Sequence, residues 1–173
     1  TLIHLIFNIF ELINIVDEND PPIFQPGVPS SPSVSYSLDE NATHMLNFAS
    51  RVVDYGPNPG GQNLVYSVSG VDGNATVMNA ATGILTFANG FGDYENPLDQ
   101  GADQVYDVNV TVSDGEYTLS QEWSFSLNDT NDLPTFDTSG TLTYVIPENQ
   151  LKVGNIRASD EDGNASLLDV VYI

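Results

Sequence analysis

The chain has no cysteine, and only 3 lysines and arginines stand against 24 aspartates and glutamates. Without cysteine, neither a disulfide framework nor a thiolate metal site is available. Without cations, the i to i+4 ion pairs that decorate exposed helices are scarcely possible. A formal net charge of −21 repels phosphate backbones and anionic headgroups, which disfavours nucleic acid and membrane surfaces and makes cations the natural partners. Long apolar runs are scarce as well. The opening TLIHLIFNIF is broken by His4 and Asn8 and followed by Glu11. It lacks a basic flank and a small-residue cleavage site, so it reads as neither a signal peptide nor a membrane span. The start on Thr1 and the stop at Ile173 inside an apolar run read as a segment of something longer, with any targeting signal outside it. Enzyme signatures are missing too: no G-x-S-x-G elbow, zinc-binding histidine pair or phosphate-cradling loop accompanies His4 and His44. The expectation is a protein that is not an enzyme.

What is present is the material of strands and turns: Val, Thr, Tyr, Phe, Ile, Ser, Asn and Gly. Four stretches alternate with period two, each giving one apolar face. They are Val34, Tyr36 and Leu38; Leu64, Tyr66 and Val68; Tyr106, Val108, Val110 and Val112; and Trp123, Phe125 and Leu127. Turn signals at PNPGG, VDGN, ATG, ANG and SDG separate such stretches. Two sheets packed through these faces form an all-β sandwich with an aromatic core. Trp123 belongs to that core by its alternation.

An internal repeat sets the domain plan. VDENDPPIF at Val16 to Phe24 matches NDTNDLPTF at Asn128 to Phe136, and DEN at Asp39 to Asn41 is echoed by PEN at Pro147 to Asn149. The separation of about 110 residues is the size of one sandwich domain. The expected division is the last strand and linker of a preceding repeat over 1–20, a complete repeat with its linker over 21–132, and the start of a following repeat over 133–173. Residues 1–16 fit a strand or, almost as well, a helix.

The linker is rich in hard oxygen donors, the ligands of Ca2+, which takes six to eight of them. In an extended chain Asp129 and Asn131 face one way and Asp132 the other, so one short segment can grip ions on both flanks. Pro134 stiffens the exit.

Taken together, the Asp-x-Asn-Asp linker, DEN and PEN, DYE at Asp93 to Glu95, VTVSDG ending at Asp114 and Gly115, and DEDGN at Asp160 to Asn164 stand in an order that resembles the cadherin repeat family. The resemblance runs from about Val16 onward. The phrasing DYENPLDQGADQVYDVNVTVSDG looks most like the bacterial cadherin-like type of large surface or secreted proteins. It implies a Greek-key β-sandwich of cadherin/immunoglobulin-like type, in tandem, with Ca2+ where one repeat meets the next. Carried over by position, the downstream joint takes Glu40, Asp93 and Glu95 from the complete repeat, Asp129, Asn131 and Asp132 from the linker, and Asp160 and Asp162 from the next repeat. Asn164 and Leu133 add backbone carbonyls. The upstream joint takes Asp17, Asn19 and Asp20 with Asp54 and Asp114. VVDYGPN offers Asp54 alone where the family usually has two acids one residue apart, so fewer or weaker ions are expected there.

The function so implied is a calcium-rigidified structural or adhesion module, extracellular or at the cell surface. Its partners are calcium ions, neighbouring repeats and another cell-surface protein or a polysaccharide. A carbohydrate-binding module of a secreted polysaccharide-processing protein is the alternative, favoured if aromatics line one exposed sheet face. The remaining acids, such as Asp72, Asp99, Asp103 and Asp107, read as a solvated surface. DEDGN fails as an EF-hand loop, since Ala165 and Val171 stand where that loop needs Gly and Glu. Asp93 and Glu95, two residues apart, read as ligands of one cation cluster rather than a glycosidase pair.

Overall fold

The computed structural model describes residues 16–25, 33–56, 63–137, 140–141, 143–150, 152–163 and 166–171. Residues 1–15, the whole of PNPGG and Asn164 lie outside them, and with them the strand-or-helix question at the start.

Strands appear where the period-two stretches are. β1 (Ile23–Phe24), β2 (Ser33–Asp39), β3 (Leu46–Asn47), β4 (Val52–Val53), β5 (Val65–Ser69), β6 (Thr76–Met78), β7 (Ile84–Phe87), β8 (Val105–Ser113) and β9 (Thr118–Asn128) come first; β10 (Thr135–Phe136), β11 (Lys152–Ser159) and β12 (Ser166–Val171) follow. One sheet has the order β2-β9-β8-β5 and a second β3-β7-β6, with β1 paired to β4. β2 runs parallel to β9, Val34 opposite Trp123 and Leu38 opposite Leu127, while β8 and β9 form a long antiparallel hairpin. β2 thus adds as a parallel edge strand to the antiparallel β5, β8 and β9, and the molecule is an all-β sandwich of Greek-key type.

Alternation explains the core. Tyr106, Val108, Val110 and Val112 from β8 and Trp123, Phe125 and Leu127 from β9 are buried, and they form one core with Leu46, Leu85 and Phe87 from the other sheet and Phe48 from the 3-10 turn that follows β3. Trp123 stands edge-on to Phe48 at 5.0 Å between ring centroids, and Phe87 likewise to Tyr106 at 5.2 Å. Trp123 is therefore a core residue, as its alternation indicates. Tyr36 departs from the pattern, 36% exposed although its neighbours in register are buried, because β2 is an edge strand. The outward positions of β8 and β9 carry Val105, Asp107, Asn109 and Thr111 and Ser120, Glu122, Ser124 and Ser126, none of them aromatic.

The topology sorts the loops. The turn after β2, the long β7–β8 crossing over 88–104 and the exit of β9 gather at one end. The first linker, the residues after β4 and the β8–β9 turn gather at the other.

Candidate metal centre

At the exit of β9 the decisive residue is Glu40. It is buried, 5% exposed, and its two oxygens accept from different segments: Oε1 from the Thr130 backbone N–H at 2.7 Å, Oε2 from the Tyr94 N–H at 3.0 Å. Asn41 turns the chain so that this is possible. It sits at φ 61°, the left-handed region that Asn tolerates, with its N–H bonded to the Gly92 carbonyl at 2.8 Å. Asn149 in PEN has φ 66°, so both copies of the motif bend alike.

Three groups of carboxylates have oxygens within 4.8 Å of one another: Glu40, Asp93 and Glu95; Glu95, Asp129 and Asp162; and Glu95, Asp132 and Glu161. Glu95 is common to all three, so groups built on both ends of the linker share it. Its Oε2 is buried and has no hydrogen-bond partner among the described residues. Loss of water and the negative charges of Glu40 and Asp129 push its carboxyl above the usual range. Asp129 is raised as well, by desolvation first and then by Asp162, Glu40 and Asp132. The segment after β9 is tied on both sides: the Asp132 N–H donates to Asp162 in the β11–β12 turn at 2.7 Å, and the Asn41 amide, just after β2, donates to Asp132 at 3.1 Å. An all-oxygen set with an orphaned buried oxygen and mutually raised carboxylates suits a hard cation.

Of the downstream residues expected from sequence, Glu40, Asp93, Glu95, Asp129, Asp132 and Asp162 meet. Asp160 instead accepts the Asp162 N–H at 3.1 Å, and the Asn131 amide bonds the Asp132 carbonyl at 2.6 Å. Glu161, in the third group, was missed. The two-residue rhythm of DEDGN singles out Asp160 and Asp162, but residues 161 and 162 form a turn, where that rhythm does not hold.

The upstream end is built differently. The Asn19 amide donates to Asp114 at 3.0 Å and to Glu116 at 3.4 Å. Asp114 is fully buried, and burial alone would raise its carboxyl. The N–H groups of Tyr117 at 2.6 Å and Glu116 at 2.8 Å, with the Asn19 amide, outweigh that and hold it below the usual range. Asp54 is half-buried with both oxygens shielded from solvent. Asp17 and Asp20 are exposed; among the described residues no carboxylate group of the kind found downstream includes them.

Register explains the difference. Ile23 and Phe24 pair with Val53 and Val52, while Thr135 and Phe136 pair with Ser159 and Ala158. The equivalence places Asp54 where Asp160 stands and Gly56 where Asp162 stands. Gly56 has φ +104°, and a Cβ there would lie 2.7 Å from the Glu18 carbonyl and 3.4 Å from the Asp20 nitrogen. Linker backbone packs where the downstream joint has a carboxylate.

The fold is thus a β-sandwich with an acidic seam where the exit of β9 meets the β11–β12 turn. No family model and no curated protein matches the sequence. Among solved structures, human protocadherin-24 EC1-2 is 20% identical, matching 86% of this chain and 62% of its own, with a TM-score of 0.43. Drosophila N-cadherin EC1-4 is 18% identical over 85% of this chain and 34% of its own, TM-score 0.42. The human desmocollin-1 ectodomain is 15% identical over 91% and 37%, TM-score 0.45. The chain spans less than two thirds of each.

Proposed function

We propose that this chain is a cadherin-like, calcium-binding structural or adhesion module of an extracellular or cell-surface protein, of the bacterial type its phrasing resembles. The observation that carries the reading is the Glu95-centred seam, in which carboxylates from one repeat, the linker and the next repeat converge. Glu40, Asp93, Glu95, Asp129, Asp132 and Asp162, with Asn131, Asp160, Asn164 and now Glu161 near them, form the downstream ligand set; Asp54, Asp114 and Asn19 with Asp17 and Asp20 form a leaner upstream set. In this reading 1–20 belong to the last strand and linker of a preceding repeat, 21–132 are a complete repeat with its linker, and 133–173 are the N-terminal part of a following repeat.

Each pair of carboxylates about 4 Å apart repels by roughly 1 to 4 kcal/mol, depending on the effective dielectric. Without metal the seam is pushed open. With Ca2+ the same oxygens become shared ligands, and the binding free energy appears as stability and fixed orientation of the joint. The aromatic-free outer face of β8 and β9 favours this reading over the carbohydrate-binding alternative.

The test is limited proteolysis around Thr130. Cleavage is expected to slow in Ca2+ and to accelerate in chelator; equal rates in both would sink the reading. Among the described residues no helix is long and apolar enough to cross a membrane.

A further inference from the structure

Asp72 and Asp99, which composition assigns to the solvated surface, are instead buried, 4% and 6% exposed. Asp72 lies in the VDGN turn between β5 and β6, far in sequence from the acidic seam. Its Oδ1 accepts the Gln100 N–H at 2.6 Å and its Oδ2 the Asp107 N–H at 2.7 Å. These are the short distances of bonds to a carboxylate. Asp107 lies just beyond the last rung between β5 and β8, Ser69 opposite Asn109, so Asp72 supplies the acceptor that β5 no longer offers. The turn is held in return: the Asp72 N–H donates to the Asp107 carbonyl at 3.0 Å.

The two donors bracket residues 101–106, the end of the crossing that carries Asp93 and Glu95 and the start of β8. Two further bonds tie the residues just before this stretch to it: Asp99 accepts the Asp103 N–H at 3.0 Å, and the Tyr106 hydroxyl accepts the Leu98 N–H at 3.0 Å. Gln104, at φ 63°, has its carbonyl bonded to the Leu127 N–H at 2.9 Å. Its side-chain amide donates to the Tyr94 carbonyl at 3.2 Å. Tyr94 stands between the two acids, and its N–H is held by Glu40.

We propose that Asp72, acting through this loop and the Gln104 strut, is a positioning residue that sets the cation affinity of the Glu95-centred seam. It touches no ligand oxygen. It fixes the backbone on which Asp93 and Glu95 stand, so that little ordering remains to be done when the ion binds. The inference rests on the calcium reading of the seam.

The test uses the whole 173-residue chain, titrated with CaCl2 by calorimetry, with amide exchange measured in chelator. Asp72→Asn cannot serve both donors as a carboxylate does. It is expected to raise the apparent Kd about tenfold or more and to speed exchange at Gln100, Asp107 and the Tyr94 to Asn96 segment. Val112→Ala opens a cavity toward the other end of β8 and serves as the control for general destabilisation; its Kd is expected to stay within about twofold of the parent. Should Asp72→Asn not fold, Gln104→Ala decides, since it cuts only the strut to Tyr94 and is expected to raise Kd in the same direction. A parent-like Kd in Asp72→Asn or, in its place, Gln104→Ala, or an equal loss in Val112→Ala, overturns the proposal. A parent chain that binds no Ca2+ overturns the calcium reading itself, and the affinity role falls with it. Unchanged exchange at Tyr94 to Asn96, with calcium binding intact in the parent, overturns the positioning alone.

Discussion

Glu95 is shared by every carboxylate group found in the seam, and its carboxyl is pushed up by burial and by the charges of Glu40 and Asp129. A neutral isostere removes that repulsion together with a ligand. Glu95→Gln is therefore expected to raise the melting temperature in chelator and to abolish most of the gain on adding Ca2+, measured by calorimetry in both states. A pH series separates the seam from Asp114. Glu95 and Asp129 have folded pKa values above their unfolded ones, so the folded chain binds protons more tightly. Their destabilising contribution is complete above the folded pKa and disappears as pH falls below the unfolded value. Asp114 is depressed and contributes stability that is present above its unfolded value of 3.8 and is lost as pH falls through the folded one. In chelator, melting temperature is expected to rise as pH falls from neutrality toward the ordinary carboxylate values of 4.5 and 3.8 and to fall steeply below the Asp114 window. The first rise shrinks in Glu95→Gln. A profile with no rise ahead of the acid fall would exclude a strained seam.

At the scale of elements, alternation made the four long stretches legible because one face of each is buried, and a slip of one residue would expose that whole face. Val34, Tyr106, Val110, Trp123 and Phe125 all lie on strands where the period puts them. The short strands β3, β4 and β6 carry too few residues for a period to register, and pairing across the sandwich, invisible to a local pattern, decides them. The site divides in the same way. Glu40, Asp93, Asp129 and Asp162 were legible as acids in ordered motifs. Glu161 was not, because a turn replaced the extended geometry, and Asp72 was not, because burial depends on the β5–β6 turn closing over the loop. Gly56 was legible only as a missing acid; its contact with the Glu18 carbonyl supplies the reason. Adding a methyl there meets backbone in a conformation that disfavours side chains, which costs about 1–3 kcal/mol. Gly56→Ala is expected to lower the melting temperature correspondingly and to free the Asn19 amide from Asp114, seen as a shift of its side-chain NH2 resonances. An unmoved Asn19 resonance would mean that the linker does not dock there.

At the scale of the whole molecule the two joints differ in what holds them. Downstream, the Asp132 N–H meets the Asp162 carboxylate in a seam of raised, mutually repelling acids. Upstream, Gly56 stands at the equivalent position, and the linker is tied by the Asn19 amide to a depressed Asp114. Among the described residues no group of three converging carboxylates forms upstream, so an added cation has less repulsion to relieve there. If opening is fast compared with cleavage, proteolysis tracks the open population. At a Ca2+ concentration about 100 times Kd the stabilisation is about 2.7 kcal/mol, on the order of a hundredfold fewer open molecules. Cleavage at Thr130 is expected to slow by up to that factor, whereas cleavage between Asp17 and Asp20 changes by less than about threefold, since few shared carboxylates remain to couple an ion to the joint. Mass spectrometry of the fragments over a Ca2+ titration reads both sites in one sample. Equal protection of the two linkers would show that Gly56 does not weaken the upstream joint, and that the Asn19 contact yields its place to an ion when calcium is present.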